Sequence, residues 1–184
     1  MRSFIGIGLD ERTRGEIVAF TAPLQKLGLA VRWTPEANLH LTLQFLGEID
    51  GPQQSAITAA LAAPGLDIPP FSLRFRGAGA FQRNGEVSIV WIGSEPCPEL
   101  LRLVARLGER LTPLGFPPES RPFTPHLTVG RSRGRCPGAR LEPTLQALAA
   151  RPVTSVAVTG FSLFQSRMQP GGSVYTPLRE FPLG

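Results

Sequence analysis

The run Asn38-Leu39-His40-Leu41-Thr42-Leu43-Gln44-Phe45-Leu46-Gly47 decides the fold. A second run, Thr124-Pro125-His126-Leu127-Thr128-Val129-Gly130-Arg131, repeats its centre. Each holds His-Leu-Thr inside an apolar stretch of strand character, and the chain's two histidines are these two. Successive side chains on a strand point to opposite faces. His40 and Thr42 therefore share one face, and Leu41 and Leu43 the other. His126 and Thr128 share a face in the same way, opposite Leu127 and Val129. A rise of ~3.3 Å per residue sets each threonine roughly 6–7 Å along from its histidine. An imidazole and a hydroxyl at that separation can converge on one phosphate-sized group. Two such pairs facing each other would supply two proton carriers and two neutral donors.

The flanking sequence predicts a buried strand over 3–9 and a helix opened by Asp10 and closed by Gly28, with Pro23 kinking it or ending it early. A short extended piece over 31–33 leads to the first motif. Gly51-Pro52 opens a second helix, which Pro64, Gly65 and Pro69-Pro70 end. Phe71-Ser72-Leu73-Arg74-Phe75-Arg76 alternates apolar and polar residues, a strand with one wet face. Asn84-Gly85 is a hairpin signal, and 87–92 is the return strand. Pro98 starts a helix whose stripe of Leu100, Leu101, Val104, Leu107 and Leu111 reads as core. Residues 116–122 form a proline-rich loop. Residues 132–138, rich in Arg, Gly and Ser, read as an exposed, mobile basic loop, and 143–149 as a short helix. One long strand over 153–165, a turn over 169–172 and a closing strand over 173–181 complete the chain.

The second half echoes the first. His40 aligns with His126, Gly77 and Phe81-Gln82 with Gly160 and Phe164-Gln165, and Val87 with Val174, at nearly constant offset. Internal similarity of this kind implies a repeated unit. The expectation is one bilobal domain over 1–184 with an internal duplication, approximately 1–83 and 84–184. Mixed helices and hairpins make it α+β, with a pseudo-twofold axis relating two antiparallel sheets backed by helices around a central cleft.

Length and composition agree with a folded domain. The chain has 184 residues, 42% hydrophobic and 18% charged, enough to bury a core without staples. Its net charge is +5, and Lys26 is the only lysine. Arginine forks match phosphate oxygens bidentately, which favours a phosphorylated or nucleic-acid partner. An Arg-for-Lys compositional bias accounts for the same excess. Cys97 and Cys136 each precede a proline and make no metal-ligand spacing. No secretory segment precedes the first strand and no apolar run is long enough for a bilayer, so a cytoplasmic protein without a membrane partner is expected.

Histidine titrates near ~6.5, so one neutral and one protonated imidazole can coexist near neutral pH. That is what concerted general base and general acid catalysis requires. Hydrolysis of a cyclic phosphodiester needs one group to take a proton from water and another to protonate the departing ribose oxygen, roughly in line across phosphorus. Thr42 and Thr128 would donate to the non-bridging oxygens. Strict alternation turns Arg131 away from this face, but Gly130 can bulge the strand and swing it back. Phe45 holds the equivalent position in the first motif, so the phosphate should lean towards the second. Neither motif has a carboxylate on the His/Thr face to complete a metal site. Phe4, Trp33 and Phe123 flank the motif strands and could stack on a base, although aromatics there are also ordinary core.

These residues resemble the two-histidine (2H) phosphoesterase superfamily, in its LigT-like, RNA 2′,3′-cyclic phosphodiesterase or 2′-5′ RNA ligase branch. The resemblance covers nearly the whole chain: Phe4-Ile5-Gly6-Ile7, the runs 40–47 and 121–131, Phe161-Ser162-Leu163-Phe164-Gln165-Ser166 and Tyr175-Thr176-Pro177-Leu178. It implies two lobes around a cleft and opening of RNA 2′,3′-cyclic phosphate ends to 2′-phosphates, with no metal or nucleotide cofactor. It also implies the reverse 2′-5′ ligation and a partner that is cyclic-ended RNA or a cyclic nucleotide; a monomer is expected. The family pattern makes His40 the proton donor to the 3′ oxygen and His126 the acceptor that activates water. The near-identical motifs do not by themselves fix that direction. A noncatalytic RNA-end or nucleotide binder of the same fold is the alternative, as is a phosphodiesterase for a small cyclic nucleotide or ADP-ribose cyclic phosphate.

Overall fold

The computed structural model describes residues 1–170 and 172–184; within the expected turn over 169–172, Gly171 lies outside the described residues. The chain runs β1 (Arg2–Gly8), α1 (Glu11–Gln25), β2 (Val31–Trp33), β3 (His40–Glu48), α2 (Gly51–Ala62), β4 (Phe71–Arg83) and β5 (Glu86–Ser94). It continues through α3 (Pro98–Leu111), β6 (His126–Ser132), α4 (Gly138–Leu148), β7 (Pro152–Val158), β8 (Gly160–Gln169) and β9 (Gly172–Pro182). One sheet has the order β3-β1-β8-β9 and the other β2-β6-β5-β4-β7. Every strand pair is antiparallel, which makes the fold α+β.

Local chemistry sets the element ends. The Asp10 carboxylate accepts from the Thr13 N–H at 2.7 Å and caps α1. Pro23 is held inside the helix, which ends two residues later at Gln25. Asp50 and Gln53 close a reciprocal capping box on α2. Asn84 and Gly85 both take the left-handed conformation, φ 52° and 76°, as a tight hairpin between β4 and β5 needs.

Four expectations are corrected. The single strand over 153–165 is two strands, β7 and β8, in different sheets. The break falls where the Thr159 carbonyl accepts from the Leu183 N–H and where a Cβ on Gly160 would lie 2.6 Å from the Phe181 carbonyl. The core stripe of α3 is Leu100, Leu103, Leu107 and Leu111, all fully buried, whereas Leu101 is 49% exposed. Leu101 and Val104 instead line an apolar groove with Gly108, Pro118 and Phe123. The final helix begins at Gly138, not at Pro143. The basic loop over 132–138 is anchored: the Cys136 N–H donates to the Glu86 carboxylate, its carbonyl accepts from Val87, and its side chain is buried.

The two sheets correspond strand for strand. The order β3-β1-β8-β9 matches β6-β5-β4-β7, with β2 added outside β6. Each motif strand thus sits beside the strand that opens its own half, β1 or β5. Beyond it comes a strand from the other half: β8 pairs with β1, and β4 with β5. The helices cross over too, α2 and α3 packing by the first sheet and α1 and α4 by the second. The division at 83/84 therefore falls inside the β4–β5 hairpin, and each sheet draws on both halves. Val87 and Val174 are not equivalent, since Val87 lies on an inner strand and Val174 on the edge strand β9. The sheets approach each other along β3 and β6, which brings the two motifs to one seam.

Candidate active site

Both motif strands carry the same irregularity. On β3, Thr42 faces Gly6 and Gln44 faces Ile5, so Leu43 is an extra residue. On β6, Thr128 faces Trp91 and Gly130 faces Val90, so Val129 is the extra one. A bulge puts two successive side chains on the core side and shifts the rest of the strand by one face. Both strands accordingly read half-buried His, buried Leu, half-buried Thr, two buried residues, then an exposed one. The exposed residue is Phe45 on β3 and Arg131 on β6. The bulge thus returns Arg131 to the face of His126 and Thr128, where its charge also acts on His40. Val31 and Trp33 close over Gly130 from behind, leaving no room for a Cβ.

The histidines are held alike. His40 Nδ1 lies 2.7 Å from the Asn38 carbonyl and His126 Nδ1 lies 2.8 Å from that of Thr124. A carbonyl only accepts, so each Nδ1 carries the proton and each Nε2 is left for the site. Across the ladder each histidine meets a glycine, Gly8 or Gly93, which adds no side chain over the ring. The Thr42 hydroxyl donates to His40 Nε2 at 3.1 Å. Burial pushes the His40 pKa below its ordinary value; the Asn38 carbonyl opposes this, and the Arg131 charge adds to it.

The aromatic surroundings differ from expectation. Phe4 is only 3% exposed, stacked on Phe164 at 5.1 Å and against His40 at 4.7 Å, so it braces the histidine and offers no face to a base. Trp33 backs the bulge, on the face away from Arg131. Phe123 lines the groove of α3. Two aromatics that sequence reading missed stand beside the histidines instead. The Tyr175 ring meets His40 edge-on at 4.7 Å, and Phe81, 40% exposed, meets His126 edge-on at 5.1 Å. The alignment of Phe81 with Phe164 was the signal for the second, because Phe164 also flanks His40, at 6.2 Å. Among the described residues, no three His, Cys, Asp or Glu side chains gather as a metal set. Among them too, no helix is long and apolar enough to cross a membrane.

The model of the 2′-5′ RNA ligase superfamily matches residues 17–169. The chain belongs to that superfamily. The Thermotoga maritima protein named RNA 2′,3′-cyclic phosphodiesterase is 33% identical over 98% of this chain and 94% of its own length. The Escherichia coli K12 protein of the same name is 31% identical over 99% and 96%. Among solved structures, a Thermus thermophilus protein covers 100% of this chain and 98% of its own, with TM-score 0.79 and 29% identity. Escherichia coli LigT, crystallised with 3′-AMP, covers 99% and 96%, with TM-score 0.77 and 28% identity.

Proposed function

We infer that this superfamily member is an RNA 2′,3′-cyclic phosphodiesterase that works by two-histidine acid–base catalysis. The observation that carries this reading is the matched pair of imidazoles, each tied through Nδ1 to the carbonyl two residues upstream, on two strands that meet along one seam. Water attacks phosphorus and gives its proton to His126 Nε2. The bond from phosphorus to O3′ breaks, and O3′ takes a proton from His40 Nε2. The product is a 2′-phosphate beside a free 3′ hydroxyl. Thr42 and Thr128 donate to the non-bridging oxygens, and Arg131 neutralises them from the second half-site. Burial favours the neutral form of His40 in the empty site; an arriving phosphodiester anion favours its protonated, acid form.

The substrate is RNA with a 2′,3′-cyclic phosphate end, with cyclic nucleotides as its smallest version. The enzyme acts as a monomer, since one chain supplies both half-sites. The correspondence of the two sheets supports an ancestral internal duplication over approximately 1–83 and 84–184. The test is turnover of a cyclic-ended oligonucleotide in excess EDTA, with no nucleotide added. The expected result is full activity and a 2′-phosphate product. Activity lost to EDTA and restored by a divalent ion, or a 3′-phosphate product, would overturn the reading.

A further inference from the structure

Phe81 lies in a row of side chains that runs across the second sheet. Phe81 pairs with Ile89 and Ile89 with Arg131, and directly opposed residues share a face. The matching row of the first sheet is Phe164, Phe4 and Phe45. There Phe4 stacks over Phe164 and buries it. In the second sheet Ile89 takes the place of Phe4, and Phe81 keeps 40% of its surface exposed. Its ring is held beside Trp91 at 5.7 Å and edge-on to His126 at 5.1 Å. An uncovered ring thus stands next to the histidine that receives the nucleophile's proton.

Resting on the acid–base reading above, we propose that Phe81 is the stacking platform for the nucleoside that carries a 5′ hydroxyl. That alcohol takes the place of water in 2′-5′ ligation. Attack and departure are in line, so the nucleophile enters from the His126 side and the cyclic-end ribose lies towards His40. The 5′ oxygen bonds to phosphorus and its proton passes to His126 Nε2. The bond to O3′ breaks, and O3′ takes the proton of His40 Nε2, leaving a 2′–5′ phosphodiester and a free 3′ hydroxyl. Water needs no platform; a nucleoside gains one from the ring. Phe45, 52% exposed in the His40 half-site, would meet the cyclic-end nucleoside, which hydrolysis and ligation share.

The experiment offers a cyclic-ended oligonucleotide together with a 5′-hydroxyl oligonucleotide and measures the ratio of joined to hydrolysed product. Cleavage of a 2′–5′-linked dinucleotide reads the same path backwards. Phe81→Ala and Phe81→Leu should lower the joined-to-hydrolysed ratio roughly 5- to 100-fold, the worth of one base–aromatic stack. Phe81→Trp should keep the ratio, and Phe45→Ala should leave it unchanged. Using a ratio cancels any loss that both reactions suffer through a displaced His126. An unchanged ratio in the Phe81 variants overturns the proposal, as does a fall in Phe45→Ala instead. Wild-type enzyme that hydrolyses cyclic ends but neither forms nor cleaves a 2′–5′ bond also overturns it, leaving the hydrolytic reading intact. Absence of hydrolysis itself would fail that reading.

Discussion

His40 and His126 make the same hydrogen bond through Nδ1, yet burial and the Arg131 charge lower the pKa of His40. A lowered pKa means that the acid form is lost at lower pH. The profile of kcat/KM follows the free enzyme, so its alkaline limb should fall early. The profile of kcat follows the bound complex, where the substrate anion raises the same pKa, so its limb should lie at higher pH. Both limbs belong to the coupled pair of histidines. Arg131→Ala removes one lowering influence. Its alkaline limb in kcat/KM should therefore shift to higher pH while KM for the cyclic end rises; pH–rate profiles of both proteins check this. An unchanged limb would mean that Arg131 does not act on the acid, and a shift to lower pH would contradict the sign of its effect. That His40 shares a face with Thr42, and His126 with Thr128, was legible from strand alternation. Arg131 was legible only through the bulge that Gly130 suggested. Phe4, Trp33 and Phe123 stayed open between core and base stacking, because nearness in sequence to a motif strand does not say which face a ring takes.

The elements were mostly legible, since caps and turn residues mark their ends in the sequence. Asp10, Asp50 and Asn84-Gly85 each do what their chemistry predicts. The failures are those of tertiary context. Residues 153–165 read as one continuous strand, and the close passage against Phe181 marks the break at Thr159. The α3 stripe has apolar residues on two faces, and spacing does not decide which face meets the sheet. Burial decides it, and stability measurements would report it. Leu103→Ala should cost about 2–5 kcal/mol in denaturant unfolding, as a deleted core leucine does. Leu101→Ala should change stability by about 0.5 kcal/mol or less, as an exposed site does. A reversed order would put the groove face against the core.

The whole molecule depends on an exchange between its halves. Strand β4 completes the sheet opened by β5, and β8 completes the one opened by β1. The matching offsets gave no sign of the exchange, because repeat offsets say which strands are alike and not which ones pair. Tyr175 and Phe81 escaped notice for the same reason: each reaches its histidine from a strand distant in sequence. Fragments 1–83 and 84–184 should each be unfolded alone by circular dichroism and recover structure only when mixed. An independently folded half would contradict the exchange. The same arrangement sets one histidine on each sheet, and in the proposed mechanism one accepts the proton of water while the other gives a separate proton to O3′. A substrate whose 3′ bridging oxygen is replaced by sulfur tests this most directly, because a thiolate leaves without a proton. On the oxygen substrate, His40→Ala and His126→Ala should each lower kcat by about 10²–10⁴-fold. On the sulfur substrate, His40→Ala should recover to near the wild-type rate and His126→Ala should not. Recovery of His126→Ala instead would reverse the roles, and recovery of neither would contradict the two-histidine mechanism.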